Sequence, residues 1–371
     1  MKFICDKTEL LKMINTVQKA VPAKSTLPIL EGIKIDATAN GSIIFTGNNL
    51  ELCIEYQSEC NIPEGGSIVL ASRMFGEIVR RLPDGELTVE VNEENNVTKL
   101  SSGRSEFNIL ALDAGEFPSA PELSSEFSFS MSQVVLKRMI RQTIFAVASD
   151  EMRPVLTGSL FEINDDNISV VSIDGYRLAL RKEHIESSGQ TCKFVIPGST
   201  LRELLKLLKD EDEPVVISVS ERHILFDFGE FKVTTRLLDG EFVNYAPIIS
   251  ASNTTVVIAD TKAMCESMER TALLVNEDSS KSPVRLTIGT QQVEINCMTS
   301  MGRIHDIIPV DVHGEGLEIG FNYRYLLDAL RACEEEEVRM EFSTPLSACF
   351  IKPVNGEEYI YMVQPVRLYG N

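Results

Sequence analysis

The sequence predicts an α+β fold built three times over, as three similar domains of two helices packed on antiparallel sheets. Three observations indicate this: the length of the chain, a repeat of about 126 residues, and a helical and a strand-like periodicity that alternate within each repeat. With 371 residues, 43% of them hydrophobic, the chain is long enough for two or three packed domains.

The repeat is clearest around one proline-containing motif. Residues 28–32, Pro-Ile-Leu-Glu-Gly, match residues 154–158, Pro-Val-Leu-Thr-Gly, and residues 282–286 are a weaker third copy. Because each unit is as long as a domain, we interpret the units as domains rather than solenoid repeats. The predicted domains span 1–121, 127–248 and 252–371, and the joining segments near 117–125 and 247–255 are rich in Pro, Ser and other turn-forming residues.

Two helices are predicted in each unit, joined by strand-like segments that Gly, Asn and Asp separate. The helical segments are 7–19, 72–82, 132–145, 199–209, 260–275 and 322–332. In the fourth, Leu201, Leu204 and Leu208 recur at helical spacing, whereas Arg202 and Lys206 fall on the opposite face. The segments therefore predict amphipathic helices with basic outer faces.

Charge is segregated along the chain. The formal net charge is −20, which by itself argues against binding to nucleic acid. The six helical segments nevertheless hold 16 basic and 7 acidic residues, while the rest of the chain holds 19 basic and 48 acidic ones. Ordinary solvated helices mix both signs, so this distribution indicates a polyanion-binding surface, although segment 260–275 is an exception.

Several function classes lack their sequence signatures. No apolar run is long enough to span a membrane, and the N-terminus does not resemble a signal peptide, so we expect a soluble, cytoplasmic protein. The eight cysteines and four histidines show no metal-site spacing, which predicts reduced thiols and no metal. No phosphate-binding loop, dinucleotide fingerprint or nucleophile elbow occurs, so no cofactor and no enzymatic activity are expected.

One motif leaves a catalytic alternative open. Asp174-Gly175-Tyr176-Arg177 could supply an acid and an anion-binding arginine to a hydrolase. A turn with a structural aspartate and glycine is the commoner explanation.

Several motifs in fixed order resemble the bacterial beta sliding clamp of the replicative DNA polymerase. They are Thr26-Leu27-Pro28-Ile29-Leu30, Arg153-Pro154-Val155-Leu156-Thr157-Gly158, Asp174-Gly175-Tyr176-Arg177-Leu178-Ala179, Arg236-Leu237-Leu238-Asp239-Gly240 and the segment 361–368, Tyr-Met-Val-Gln-Pro-Val-Arg-Leu. The resemblance covers essentially the whole chain. It implies a DNA clamp fold, in which two subunits join head to tail into a ring whose helices line the hole.

The resemblance also implies a role and a set of DNA-facing residues. The expected role is that of a processivity factor that encircles and slides on duplex DNA without reading its sequence. The DNA-facing candidates, from the resemblance and from the basic helix faces together, are Lys24, Arg73, Arg80, Lys137, Arg141, Arg153 and Arg202. The family often has aromatic residues after the arginine matched by Arg153, whereas this chain has Pro154-Val155.

A pocket for partner peptides is the second implied site. In the family it receives a short segment with Gln and apolar anchors from the polymerase alpha subunit, the clamp loader and repair proteins. The matching residues are Leu156, Gly175, Tyr176, Arg177, Leu178, Leu346, Met362, Pro365, Val366, Arg367 and Leu368. Leu178 and Leu346 could equally be core residues. The chain departs from what is usual in the family at Val243, at Pro247 and in the tail Tyr369-Gly370-Asn371.

The subunit interface is expected between the first and third domains. Arg104 and Phe107 on one edge, and Leu273 and Leu274 on the other, are the candidates for a head-to-tail contact of two identical chains. The alternative reading is a repeat-built protein-binding scaffold that does not encircle DNA.

Overall fold

The structure is a computed structural model that describes residues 1–92, 94–121, 123–124, 127–149, 152–185, 189, 191–250, 253–275 and 282–368. Parts of both predicted linkers and the tail Tyr369-Gly370-Asn371 lie outside the described residues. The chain divides into two compact units. The first comprises Met1–Gln133 and Lys206–Leu237, and the second comprises Val134–Leu205 and the chain from Leu238 onward.

The same order of elements occurs three times. The first third contains β1 (Lys2–Asp6), α1 (Lys7–Val17), β2 (Gly32–Ala37), β3 (Ser42–Asn48), β4 (Leu52–Glu59), β5 (Asn61–Glu64), β6 (Gly66–Ala71), α2 (Ser72–Arg81), β7 (Glu86–Asn92), β8 (Val97–Ser102) and β9 (Ser105–Asp113). The second contains β10 (Phe127–Ser132), α3 (Gln133–Arg141), β11 (Gly158–Asn164), β12 (Asn167–Ile173), β13 (Arg177–His184), β14 (Thr191–Pro197), α4 (Gly198–Leu205), β15 (Pro214–Val219), β16 (His223–Asp227) and β17 (Phe231–Arg236). The last contains α5 (Ala246–Ile249), β18 (Thr255–Asp260), α6 (Thr261–Val275), β19 (Val284–Ile288), β20 (Gln292–Thr299), β21 (Gly302–Pro309), β22 (Asp311–His313), β23 (Glu318–Phe321), α7 (Tyr323–Arg331), β24 (Glu337–Phe342), β25 (Cys349–Pro353) and β26 (Tyr359–Val363).

Apart from the short elements β5, α5 and β22, each third reads strand, helix, four strands, helix, three strands. This confirms the predicted α+β class and the two helices per domain. Every sheet is antiparallel. The first unit contains one continuous sheet in the order β10-β15-β16-β17-β4-β3-β2-β6-β9-β8-β7-β1-β5. The second unit contains a nine-stranded sheet, β14-β11-β12-β13-β26-β25-β24-β18-β22, and a four-stranded sheet, β21-β20-β19-β23.

Two helices, α1 and α7, begin at side-chain caps and bury one apolar stripe. Asp6 accepts a hydrogen bond from the Thr8 amide at 2.7 Å at the start of α1, and Asn322 caps α7 in the same way. In α1 the buried residues are Leu10, Met13, Ile14 and Val17, at the predicted helical spacing. Gly76 lets α2 lie close to α1, because a Cβ at that position would stand 3.3 Å from Ile14 Cγ2 of α1 and 2.7 Å from Nε2 of Gln18, the residue that follows α1.

Two helices end four residues earlier than the sequence predicts. The helix predicted over 132–145 ends at Arg141, and the one predicted over 199–209 ends at Leu205. At the end of α3 the Thr143 hydroxyl donates a 2.7 Å hydrogen bond to the Met139 carbonyl, a side-chain contact that competes with helical continuation. Among the described helices, none is long and apolar enough to cross a membrane.

Candidate functional site

Two strand pairs join one repeat to the next. In the first unit β4 pairs with β17, and Ile54 lies directly opposite Val233. In the second unit β13 pairs with β26, and Ala179 lies directly opposite Tyr361. Both joints use the same elements, namely the third strand after the first helix of one repeat and the last strand of the next. All four of these side chains are buried, with at most 1% exposure.

The strands of the corresponding third joint are not paired with each other in the described residues. Residues 105–110 of β9 pair only with β8, and β21 pairs only with β20 in the described part of the chain. Phe107 lies two residues into β9, as Val233 does in β17 and Tyr361 in β26, yet Phe107 is 43% exposed. Ile304 holds the matching position in β21 and is also partly exposed. At the position where the other repeats form a joint, β9 and β21 therefore each leave one side unpaired, with an apolar residue exposed or partly exposed there.

The interface candidates lie at these open edges. Arg104 is exposed in the turn that leads into β9, beside Gly103 with φ +59°. On the other side Leu273 is 73% exposed on α6, the helix that packs against β21. Leu274 is half-buried, and its Cδ2 would lie 3.7 Å from a Cβ at Gly302.

The basic candidates of the first unit are exposed and differ in their pairing. Lys24 lies in the loop before residue 28, and Arg73 lies in the first turn of α2; neither has an ion pair among the residues described. Arg80 forms an ion pair with Glu77, which also holds Arg81 at 3.0 Å. One carboxylate thus reduces the positive charge that two arginines present to solvent.

The basic candidates of the second unit also differ in whether a carboxylate pairs with them. Arg153 and Arg202 are exposed, with no carboxylate partner in the described segments, and Lys137 is half-buried on α3. Arg141 pairs with Glu334. Arg138, the neighbour of Lys137 on α3, pairs with Glu183 at 2.6 Å. Acidic residues from other elements therefore offset part of the positive charge that the helical segments carry in the sequence.

The turn Asp174–Arg177 is organised by its aspartate. One carboxylate oxygen accepts hydrogen bonds from the amides of Tyr176 and Arg177, at 2.9 and 3.0 Å, and the other accepts one from Arg177 Nε at 2.9 Å. Gly175 has φ +91°, in the region that glycine favours. Both oxygens of Asp174 hold the turn together, so the geometry favours the structural role over the hydrolase alternative.

Arg177 ties this turn to the last repeat. Its guanidinium donates to Asp328 on α7 at 2.6 Å and stacks on the ring of Tyr325 at 4.6 Å. Tyr176 stacks on Tyr325 with ring centroids 6.0 Å apart, and the Gln364 amide donates to the Tyr176 carbonyl at 2.8 Å. Burial raises the pKa of Tyr325, which keeps its phenol neutral.

Leu178 and Met362 form the floor below this turn. They lie directly opposite each other in the β13–β26 pair and are 0% and 4% exposed. Their apolar cluster includes Leu160, Phe350 and Ile360, and the partly buried Val243 and Ile248 pack against it. Leu156 is buried in the turn before β11. Leu178 is therefore a core residue, the role that the sequence left open for it.

The remaining pocket candidates are accessible. Tyr176 is 62% exposed, Leu346 65% and Val366 40%, so Leu346 is not a core residue. Arg367 is exposed, and Pro365 and Leu368 are half-buried. The Val366 amide donates to the Gly320 carbonyl at 2.9 Å, which holds this segment beside β23. A buried apolar floor with accessible apolar and cationic groups at its rim suits an extended peptide with apolar anchors.

The sequence did not single out Tyr325, Asp328 or Phe350, all of which contribute to this site. Tyr325 and Asp328 fall within a predicted amphipathic helix, and nothing in its spacing distinguishes them from solvated residues. Their role follows only from the tertiary contact with Arg177.

The chain consists of three repeats, and its sheets continue from one repeat into the next. Each unit also leaves one strand of the third joint unpaired. This arrangement is that of a three-domain clamp. Family models of the DNA polymerase III beta subunit match the chain in three parts: the N-terminal domain at residues 1–121, the central domain at 130–244 and the C-terminal domain at 247–367. The chain belongs to the family of DNA polymerase III beta subunits, the beta sliding clamps.

Curated relatives and solved structures agree with this assignment. The beta sliding clamp of Bacillus subtilis is 34% identical to this chain over 380 residues, and the alignment covers the full length of both proteins. The crystal structure of a putative DNA polymerase III beta subunit from Eubacterium rectale is 37% identical, with a TM-score of 0.95 over 99% of this chain and 100% of that one. A Pseudomonas aeruginosa sliding clamp bound to griselimycin is 29% identical, with a TM-score of 0.93 over 99% and 100% of the two chains.

Proposed function

We propose that the chain is a non-catalytic DNA polymerase processivity factor that acts as a homodimeric ring around duplex DNA. The observation that carries this proposal is the pair of open strands. Two of the three equivalent strand joints are made within the chain, while β9 and β21 remain as the strands of the third. An unpaired strand edge with apolar residues is a ready template for pairing with another chain.

The two joints within the chain give a register for the one between subunits. Ile54 opposite Val233 and Ala179 opposite Tyr361 occupy the same positions of their strands. Applied to the third joint, this register places Ile304 of one subunit opposite Phe107 of the other. The contact is head to tail and closes after two subunits.

The basic side chains supply the proposed DNA surface. Lys24, Arg73, Arg153 and Arg202 are exposed without carboxylate partners among the residues described. Of the other candidates, Arg80 lies on α2, and Lys137 and Arg141 lie on α3. Lysine and arginine on helices attract phosphates without reading bases. A closed ring needs no tight binding, because it is retained by its topology.

The pocket above Leu178 and Met362 is the proposed docking site for partner peptides. Its rim residues Tyr176, Leu346 and Val366 are accessible, and the arginine stack on Tyr325 fixes the turn that carries Tyr176. We expect the polymerase alpha subunit and the clamp loader to use it. Family membership favours this role over a protein-binding scaffold that does not encircle DNA.

We also propose domain limits of 1–121, 127–248 and 252–371. The repeated order of elements and the proline- and serine-containing segments between the repeats support them.

Disulfide trapping tests the proposed joint. In a double variant with Phe107→Cys and Ile304→Cys, directly opposed cysteines should cross-link the subunits, because cross-strand Cβ atoms stand about 4.5–5.5 Å apart. Mild oxidation should convert most of the protein to a covalent dimer on a non-reducing gel.

The matched control moves one cysteine along the strand. Ile109→Cys with Ile304→Cys is displaced by two residues and should cross-link much less. Oxidised wild-type protein measures the background from the eight native cysteines. Equal cross-linking in the two double variants would contradict the register, and a monomer by light scattering at micromolar concentration would contradict the dimer.

A further inference from the structure

A groove of about 970 Å³ lies in the second unit, next to the proposed peptide pocket. Its walls are residues 315–318, residues 343–346 and the pair Thr254–Thr255, and Arg367 and Leu368 close one side. Leu346, Arg367 and Leu368 are also candidates for the peptide pocket, so the two depressions are continuous. The part formed by Thr254, Thr255 and residues 315–318 extends beyond every residue assigned to that pocket.

The walls of this groove are fixed in place. Thr255 Oγ1 donates to the Glu315 carbonyl at 2.7 Å, and the Ile288 amide donates to the Leu317 carbonyl at 2.8 Å. Gly314 has φ +111°, and a Cβ there would stand 2.3 Å from the Thr254 carbonyl oxygen. A groove with rigid walls binds a ligand without first paying the entropy of ordering a loop.

Charges are arranged in order along the groove. The hydrogen bond between Val366 and Gly320 places Arg367 at the end of the groove near the peptide pocket. Glu318 lies two residues before Gly320 and Glu315 five residues before it, so the glutamates lie progressively farther from that end. Glu318 pairs with Arg285 at 3.1 Å. The carboxylate of Glu315 is exposed and has no hydrogen bond or ion pair within the described ranges. The far end of the groove therefore presents an uncompensated negative charge.

We propose that this groove receives the segment of a partner peptide that flanks its apolar anchors, and that this segment carries a basic residue facing Glu315. The inference rests on the proposed peptide-binding function. Continuity with the anchor pocket favours a peptide as the occupant, and the charge of Glu315 favours lysine or arginine in it. The volume lies within the usual range for ligand sites, about 300–1,000 Å³.

Fluorescence-polarisation titrations with five labelled peptides test this inference. One is a core peptide with the Gln and Leu/Phe anchors alone, and the others extend it by lysine-containing or glutamate-containing segments of equal length at either end. At one end the lysine extension should bind about two- to fivefold more tightly than the glutamate extension, the range expected for a solvent-accessible ion pair. The difference should shrink as salt is added.

Two variants of the protein locate the effect. Glu315→Gln should remove most of the difference between lysine and glutamate extensions while binding the core peptide as wild type does. Glu357→Gln makes the same change of charge at an exposed turn outside the groove and should preserve the difference.

The outcomes separate this inference from the function on which it rests. Failure of the core peptide to bind would contradict the proposed peptide pocket itself. Normal binding of the core peptide, with equal affinities for the lysine and glutamate extensions at both ends, would overturn the inference alone. A lysine preference that survives in Glu315→Gln would also overturn it.

Discussion

Lys12 of α1 forms a 2.8 Å ion pair with Glu230, the residue immediately before β17, although the two are 218 positions apart in the sequence. The Tyr56 hydroxyl on β4 donates to the same carboxylate at 3.2 Å. The hydrogen bond from Lys12 lowers the pKa of Glu230, and the same bond raises the pKa of Lys12. The first helix thus contributes a polar contact across the joint between β4 and β17.

We expect Glu230→Gln to lower the free energy of unfolding at pH 7 by about 0.2–1 kcal/mol, the range for partly exposed pairs. Because the folded pKa of Glu230 lies below its unfolded value, the stabilisation is complete above about pH 4.5 and is lost as the pH falls through the folded pKa. Urea titrations at pH 7 and pH 3.5 measure this, with Glu59→Gln as the exposed control. If wild type and Glu230→Gln differed in free energy of unfolding by the same amount at pH 3.5 as at pH 7, the ion pair would not be the cause of the difference.

The thiols of Cys5 and Cys60 are expected to react unequally. Ile4 of β1 pairs with Asn61, the first residue of β5, so Cys5 lies opposite Cys60, the residue just before β5. A hydrogen bond from Cys5 lowers the pKa of Cys60, whereas burial raises the pKa of Cys192, a thiol of similar exposure. At pH 7.5 iodoacetamide should therefore alkylate Cys60 faster than Cys192, because the thiolate is the nucleophile. Peptide-resolved mass spectrometry gives both rates, and equal rates would count against the thiol pair.

Charge reversal of the basic helix faces should weaken association with DNA and leave the fold intact. A triple variant with Arg73→Glu, Lys137→Glu and Arg202→Glu changes one residue each on α2, α3 and α4. Each lost phosphate contact should lower the log–log salt slope of DNA binding by about 0.9. An unchanged slope would mean that these faces do not meet DNA.

Removal of a single carboxylate, that of Glu77, should have the opposite effect and strengthen DNA binding. Glu77 pairs with both Arg80 and Arg81, so Glu77→Gln should leave two arginines available to phosphate and raise DNA affinity at low salt. Glu59→Gln removes the same charge from an exposed position without an ion pair in the described chain. A similar gain in both variants would indicate a general effect of net charge.

Truncation of the exposed pocket residues should reduce peptide affinity without destabilising the protein. Tyr176→Ala with Leu346→Ala removes two accessible apolar groups and should weaken binding of a Gln-and-Leu/Phe-anchored peptide by about 2 kcal/mol or more. Val216→Ala, at an exposed residue of β15, is the control. The buried pair Leu178 and Met362 is a poorer choice, because truncation there leaves a core cavity that costs about 2–5 kcal/mol of stability per residue. Wild-type affinity in the Tyr176 and Leu346 double variant would contradict the pocket assignment.

Much of the fold could be predicted because the information is local. The stripe Leu10, Met13, Ile14 and the cap Asp6 define α1 without reference to the rest of the chain, and the repeat carries the same reasoning to the other domains. The joints between repeats could not be predicted in this way. Nothing near Ile54 in the sequence indicates Val233 as its partner, since that pairing joins strands from two different repeats into one sheet.

The candidate site, like the joints between repeats, could be predicted from the sequence only in part. Basic residues on helix faces are readable from spacing, but Glu334 and Glu183, which pair with Arg141 and Arg138, come from distant segments. The charge count of a helix therefore overstates the charge it presents to solvent.

Retention on closed DNA distinguishes a ring that encircles the duplex from a protein that only binds its surface. After loading by a bacterial clamp loader and ATP, labelled protein should co-elute with a nicked circular plasmid in gel filtration. It should then be released when a restriction enzyme linearises that plasmid, because a ring slides off a free end. We expect retention on the circle and loss from the linear form at the same ionic strength. Equal retention on both forms, or on neither, would contradict encirclement.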